Sequence, residues 1–100
     1  MFRRRALRPL ASMNCDSRVT DDFRSFFTRL PESVRTRARA KYRIWKQNPW
    51  HPSLQFKRVS DRDSIYSVRI ALGWRALGLL EGDTMIWFWI GSHAEYDHLV

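Results

Sequence analysis

The side chains best suited to chemistry in this chain are one histidine and two arginines. His93 follows residues 84–90, a run rich in β-branched and aromatic side chains that has the length and composition of a central β-strand. We expect Gly91 to end that strand, which would hold His93 at a sheet edge. Arg69 and Arg75 are single charges within two earlier apolar segments. Guanidinium groups bind phosphate and imidazole transfers protons near neutral pH, so this combination predicts phosphodiester cleavage.

The positions of these side chains depend on a predicted antiparallel sheet. Residues 54–59, 65–72, 74–80 and 84–90 show strand-like patterns and are joined by short turn sequences, which favour a meander. In the second of these strands, alternation assigns two opposite faces. The core face is predicted to carry Tyr66, Val68, Ile70 and Leu72, and the open face Ser67, Arg69 and Ala71.

The face of Arg75 depends on the length of the preceding turn. A two-residue turn would pair Arg75 with Ile70 and bury it, and an unpaired buried guanidinium costs several kcal/mol. We therefore predict a three-residue turn, 72–74, which sets Arg75 opposite Ala71 and on the face of Arg69. Gly73 tolerates the positive φ that such a bulged hairpin needs.

Further candidates lie beside this cluster. Lys57 and Arg58 point to opposite faces of the neighbouring strand, and both are candidate RNA-binding residues; Lys57 is the better one if Phe56 is core. Tyr96 is a candidate for base stacking or proton donation, or it simply packs the C-terminus. The alternative for every charge is that it solubilises an exposed face, which explains less well why guanidinium groups converge beside His93.

Two helices must cover the core face. Thr20 with Asp21 and Asp22 forms a helix start, and the stripe of Phe23, Phe26, Phe27 and Leu30 continues it to residue 30. Residues 32–47 form the second helix after Pro31, with an apolar stripe of Val34, Ala38, Tyr42 and Trp45. Its positive faces include Lys41 and Arg43, which are further candidates for RNA binding. The predicted fold is α+β: a helical hairpin packed on a curved antiparallel sheet of four to five strands, the fifth being a weak strand at residues 13–19.

Composition limits the remaining possibilities. The net charge is +8, with thirteen Lys and Arg against four acids in residues 1–49, which favours a polyanionic partner. The single cysteine, Cys15, excludes an internal disulfide and a cysteine-based metal site, and the three histidines lack ligand spacing, so no metal or cofactor is predicted. We expect a basic, flexible extension at 1–12, one domain at 13–100, no signal peptide or membrane span, and a cytoplasmic location.

Five motifs together resemble the RelE/ParE superfamily of bacterial type II toxins. They are Phe-x-x-x-Phe-x-x-Leu-Pro at 23–31, Asn-Pro-x-His-Pro-x-Leu-x-Phe-Lys at 48–57, Tyr-Ser-Val-Arg-Ile at 66–70, Gly-Trp-Arg-Ala-Leu at 73–77 and Ile-Gly-Ser-His-x-x-Tyr at 90–96. The resemblance covers about residues 18–100, and the last three motifs are the most specific. It implies the same helical hairpin on a curved antiparallel sheet.

The resemblance also implies an activity. RelE-like members are metal-independent ribonucleases that cut mRNA, usually on the ribosome, by attack of the 2′-hydroxyl on the adjacent phosphate. Arg69 and Arg75 match positions of phosphate-binding and transition-state cations, His93 matches a catalytic histidine of YafQ-like members, and Tyr96 lies near a tyrosine used for stacking or proton transfer. Ser67 departs from the pattern, because RelE itself has a second lysine there, and the N-terminal segment is longer and more polar than the usual first strand.

Two other functions stay open on the same resemblance. ParE members bind and poison DNA gyrase, in which case the arginines and His93 would be incidental, and an inactive basic binding module of the same fold is also possible. The ending Gly91-Ser92-His93 favours the nuclease. Toxins of this kind are silenced by an antitoxin encoded alongside, and the basic surface suits an acidic, partly disordered protein partner.

Overall fold

A computed structural model of the chain describes residues 16–95. In order, the elements are β1 (Asp16–Val19), α1 (Asp21–Thr28), α2 (Glu32–Gln47), a 3₁₀ helix (Pro52–Leu54), β2 (Lys57–Arg58), β3 (Ile65–Ala71), β4 (Trp74–Glu81) and β5 (Thr84–Ser92). A helical turn begins at residue 93. The predicted extension at 1–12 and the candidate Tyr96 lie outside the described residues.

Local sequence signals explain both helices. The Thr20 hydroxyl accepts a hydrogen bond from the Phe23 amide at 3.0 Å and caps α1, as predicted. Pro31 stands at the N-cap of α2, which has the predicted bounds. The apolar stripe of α2 is buried except at Tyr42, which was predicted to be core but is 42% exposed. None of the helices within residues 16–95 combines the length and apolar character that crossing a membrane requires.

Within residues 16–95 the sheet has five strands, in the order β1-β5-β4-β3-β2. Strands β2 to β5 are paired antiparallel, which confirms the meander. β1 pairs with β5 in parallel, because the two helices carry the chain across before the meander starts. The predicted first strand is therefore present at Asp16–Val19, and its residues 13–15 lie outside the described part of the chain.

Several predicted boundaries were wrong, including the end of α1, which is Thr28 and not residue 30. Leu54 was assigned to a strand, but it ends the 3₁₀ helix that Pro52 begins, and it is fully buried. The strand predicted at 54–59 is only β2, two residues long. Gly91 does not end β5, because it pairs with Arg75 of β4 and the strand continues to Ser92.

The turn between β3 and β4 also differs from the prediction. It contains two residues, Leu72 and Gly73, and Ala71 pairs with Trp74. A β-bulge at Ile70 then shifts the register, so that Arg75 lies opposite Arg69 and not opposite Ala71.

The bulge has consequences for the two faces of the hairpin. Because of the bulge, Ala71 packs against the hydrophobic core that lies under the helices, and not on the open face as predicted. Leu72 was predicted to be buried in the core, but it lies in the turn and is 84% exposed. Arg75 is on the predicted face, but the bulge places it there instead of a longer turn.

The hydrophobic core lies between the sheet and the two helices. Its largest buried side chains include Trp45 of α2 and Met85 of β5, and Trp45 meets Trp87 edge-on with ring centroids 5.3 Å apart. A second, smaller cluster around Leu77 and Trp89 occupies the other face. That face is therefore not open along its whole length, and only its end near the β3–β4 turn carries the arginines.

We predict that Gly78→Ala destabilises the fold by about 2–3 kcal/mol through overpacking. A Cβ at Gly78 would lie 2.7 Å from the Met85 sulfur and 2.7 Å from the Trp87 ring, and that ring is buried against Trp45. Urea unfolding measures the loss. The matched control is Gly82→Ala, where no atom lies within 4 Å of the new Cβ and only the positive φ of 60° costs stability, by about 1 kcal/mol. Equal losses at both positions would show that the close approach of Trp87 does not matter.

Candidate active site

A shallow cleft of about 190 Å³ lies where the β3–β4 turn meets the end of β5. It brings together three residues that were predicted from the sequence, Arg69, Arg75 and His93. The remaining lining residues are Gln55, Ala71, Leu72, Gly73 and Trp74. Two arginines and one histidine thus line one concave surface of the size of a phosphate group and its neighbours.

The two arginines are direct cross-strand partners. Arg69 of β3 and Arg75 of β4 share a register position, so both side chains leave the sheet on the same face. Like charges directly opposite each other are unfavourable in a sheet. The arrangement therefore costs stability, and a bound anion would offset the cost.

The Arg75 guanidinium is held by two oxygen atoms from different elements. Its Nη1 donates to Ser67 Oγ at 2.7 Å, and its Nη2 donates to Gln55 Oε1 at 3.3 Å. Ser67 is fully buried, so this hydrogen bond satisfies a hydroxyl that has no access to water. The serine that departs from the RelE pattern is thus a support for Arg75. Sequence reasoning missed Gln55, because nothing local to it signals a contact twenty residues further along the chain.

His93 is positioned by the chain on both sides of it. Its backbone N–H donates to the Gly73 carbonyl at 2.6 Å, which ties the end of β5 to the β3–β4 turn. Gly73 has a φ of 83°, a conformation that favours glycine. His93 therefore extends the sheet pairing by one more bond and stands at the rim of the cleft.

A capping box fixes the turn that begins with His93. The Glu95 amide donates to Ser92 Oγ at 3.3 Å, and Glu95 Oε1 accepts from the Ser92 amide at 3.0 Å. This reciprocal pair starts a helical turn, so His93 occupies its first position. The Ser-x-x-Glu spacing of Ser92 and Glu95 is the sequence signal for this capping box.

The other predicted RNA-binding residues are dispersed. Lys57 is exposed and pairs with Ser67, so it lies on the face of the cleft. Arg58 points to the opposite face, and its Nε donates to the backbone carbonyls of Ser60 and Asp63, at 2.9 and 3.3 Å, within the following loop. Lys41 and Arg43 lie on α2, on the helix side of the sheet.

The positive charge of the cleft affects a lysine on α2. Burial lowers the pKa of Lys41, and the positive charges of Arg69 and then Arg37 lower it further. The Lys41 ammonium donates to the Ser53 carbonyl at 3.2 Å, which ties α2 to the 3₁₀ helix. The cations of the sheet and of the helix are thus close enough to influence each other.

A larger groove of about 800 Å³ lies on the helix side, between α1, α2, β1 and the sheet. Its floor is apolar, and the described residues that line it include five cations and no acid. The five are Arg18, Arg24, Arg39, Lys41 and Arg43. We call this surface the basic-rimmed groove.

Two tryptophans that line the basic-rimmed groove carry buried N–H donors. Trp45 and Trp87 both line it, and they are only 2% and 5% exposed. Neither indole Nε1–H finds a hydrogen-bond acceptor among residues 16–95. Buried N–H groups are almost always paired, so two unpaired indole donors beneath this groove are an unusual feature.

The described part of the chain contains no cluster of three or more His, Cys, Asp or Glu residues that could hold a metal ion. The positive charge in the cleft comes from the two guanidinium groups.

The fold and the family model define the class of this protein. An α+β sheet covered by a helical hairpin, with cations at one end of its strands, is the architecture expected of a RelE/ParE superfamily toxin. The model of the ParE-like toxin domain matches residues 32–98. The chain therefore belongs to the ParE-like toxin domain family, and the predicted superfamily is confirmed.

Solved structures confirm the fold. The chain is similar to the archaeal RelE–RelB complex from Pyrococcus horikoshii OT3, with a TM-score of 0.61 and 11% identity over 81% of this chain and 97% of that one. It is also similar to the RelB–RelE antitoxin–toxin complex from Methanococcus jannaschii, with a TM-score of 0.62 and 16% identity over 82% and 98%. The toxin–antitoxin complex RelBE2 from Mycobacterium tuberculosis matches with a TM-score of 0.63 and 16% identity over 83% and 95%. No curated protein sequence matches the chain.

We predict that Arg69→Gln raises the pKa of Lys41. Of the two positive charges that lower this pKa, Arg69 has the larger effect, and the substitution removes it. The titration of the lysine side chain by NMR measures the change. Arg43→Gln serves as the control, since it removes a cation from the same helix that is not among the causes of the shift. A Lys41 pKa that stays unchanged in Arg69→Gln would mean that the cleft and α2 are electrostatically separate.

Proposed function

We propose that the chain is the toxin of a type II toxin–antitoxin system and that it cleaves mRNA as a metal-independent endoribonuclease. The observation that carries the proposal is the meeting of Arg69, Arg75 and His93 in one cleft. RelE-like folds in the matched complexes are consistent with it, although identities of 11% and 16% extend only to the fold.

The proposed reaction uses these side chains in separate roles. Arg69 and Arg75 bind the non-bridging oxygens of the scissile phosphate, and they stabilise the extra negative charge of the transition state. His93 takes the proton of the 2′-hydroxyl, whose oxygen then bonds to phosphorus as the P–O5′ bond breaks. The leaving 5′-oxygen receives a proton, for which Tyr96 is the predicted donor. The products are a 2′,3′-cyclic phosphate and a 5′-hydroxyl end.

The basic-rimmed groove supports an antitoxin partner. An acidic segment with apolar side chains would complement both its floor and its cations. The structurally similar toxins from Pyrococcus horikoshii and Methanococcus jannaschii were solved as complexes with RelB. We propose that this groove, on the face opposite the cleft, is where an acidic antitoxin binds.

The alternative function is gyrase poisoning. It is favoured by the name of the family model, which describes a ParE-like toxin domain. The two functions predict different cellular damage: cut mRNA with new 5′-hydroxyl ends, or intact mRNA with gyrase-trapped breaks in DNA. An inactive binding module would produce neither.

We predict that His93→Ala and Arg75→Lys each slow RNA cleavage by roughly 10²-fold or more. His93→Ala removes the proton acceptor, and Arg75→Lys keeps a charge but loses the planar group that contacts Ser67 and the phosphate. Single-turnover cleavage of a synthetic mRNA fragment, with ribosomes and without them, measures both rates. Growth arrest on expression should be relieved in parallel.

The matched control for these variants is Arg62→Ala, which removes an exposed arginine from the β2–β3 loop. Its cleavage rate should equal that of the parent chain. Circular dichroism and thermal unfolding establish that the variants are folded. If a folded double variant of His93 and Arg75 stays as toxic as the parent, the nuclease proposal is wrong.

We predict that charge reversal at the rim of the groove, Arg18→Glu with Arg39→Glu, weakens antitoxin binding at least 10-fold and leaves RNA cleavage unchanged. Calorimetry with the proposed acidic antitoxin measures the affinity. The control is Arg62→Glu, which changes the net charge away from the groove. Binding should also shift the indole N–H resonances of Trp45 and Trp87. Unchanged affinity together with unshifted indole resonances would place the partner elsewhere.

A further inference from the structure

Gln55 combines two unusual features at the edge of the cleft. Its φ of 46° and ψ of 45° place it in the left-handed region, and it is the only non-glycine residue with positive φ among residues 16–95. Its side-chain oxygen also accepts the hydrogen bond from Arg75 Nη2. A strained backbone persists only where its surroundings hold it and is often retained for a functional reason.

The surroundings of Gln55 hold its backbone firmly. The preceding Leu54 is fully buried and the following Phe56 is 8% exposed, so both neighbours are anchored in the core. The Gln55 amide donates to the Pro52 carbonyl at 3.2 Å and closes the 3₁₀ helix. His51 Nδ1 accepts from the Ser53 amide at 3.2 Å and caps the other end. A short, capped segment therefore presents Gln55 to the cleft in one orientation.

The hydrogen bond from Arg75 to the Gln55 side chain restrains the plane of the Arg75 guanidinium. Ser67 Oγ holds Nη1 from beneath, and Gln55 Oε1 holds Nη2 from the edge of the sheet. A planar group that is bonded at both terminal nitrogens cannot rotate about its Nε–Cζ bond without breaking both hydrogen bonds. Two oxygens on separate elements thus fix the plane in which Arg75 meets a phosphate.

We propose that Gln55 is a positioning residue. Its amide oxygen fixes the Arg75 guanidinium for the scissile phosphate, and its left-handed backbone aims that oxygen at Arg75. The proposal rests on the ribonuclease function given above. A carboxylate at this position would hold Arg75 more strongly, but its negative charge would repel the phosphate, so the neutral amide suits both tasks.

The test compares Gln55→Gly with Gln55→Glu. Gln55→Gly removes the oxygen and relieves the backbone, so kcat for RNA cleavage should fall about 10-fold while KM changes little and Tm is unchanged or higher by a few degrees. Gln55→Glu should instead raise KM, because its charge opposes RNA binding. The matched control is Gln47→Ala, an exposed glutamine at the end of α2, which should change neither constant.

A double-mutant cycle separates positioning from a general effect on the fold. In the Arg75→Lys background, Gln55→Gly should have almost no further effect, since the group that it positions is gone. If Gln55→Gly alone leaves kcat unchanged, or lowers kcat equally in both backgrounds, the positioning role is wrong.

NMR of the Arg75 guanidinium tests the same contact without any RNA. Rotation about its Nε–Cζ bond should be slow in the parent chain and faster in Gln55→Gly. If the parent chain cuts no RNA but this difference is seen, the proposed function fails and the contact stands. If RNA is cut and rotation is equally fast in both proteins, the contact fails and the function stands.

Discussion

The candidate active site depends on Arg69 of β3 lying directly opposite Arg75 of β4. Arg69 and Arg75 lie side by side on one face and repel each other, which costs stability. A β-bulge produces this arrangement. The bulge at Ile70 allows a two-residue turn while keeping Arg75 out of the core. Without the bulge, a two-residue turn would pair Arg75 with Ile70 and direct the Arg75 guanidinium into the core under the helices. A paired set of cations that weakens the free protein but binds an anion is typical of a functional site.

The rest of the molecule supports that pair and separates two surfaces. Ser67 and Gln55 hold Arg75 from two directions, and the Gly73 carbonyl accepts a hydrogen bond from His93 that ties the end of β5 to the same turn. Because β3 and β4 lie in the interior of the sheet, the cleft is built on rigid elements. The basic-rimmed groove occupies the other face, between the sheet and the helices. A partner in the groove and an RNA in the cleft would therefore contact opposite faces of the same strands.

Much of the fold could be predicted from the sequence because its signals are local. The Thr20 cap, the Pro31 break and short turns between apolar segments define the hairpin and the meander. The face of Arg75 was also predictable, from the cost of burying a charge. Its cross-strand partner, Arg69, was not predictable, because the alternation of side chains along a strand does not show where a bulge lies. The left-handed Gln55 leaves no local signal either, since its conformation is imposed by the burial of its two neighbours.

The most direct test of the account is a structure of the chain bound to a short RNA that carries 2′-O-methyl groups and so cannot be cut. We predict that one phosphate lies within hydrogen-bond distance of both the Arg69 and the Arg75 guanidinium groups, with the adjacent 2′-oxygen facing the His93 imidazole. An RNA bound along α2 at Lys41 and Arg43, with the cleft empty, would contradict the account.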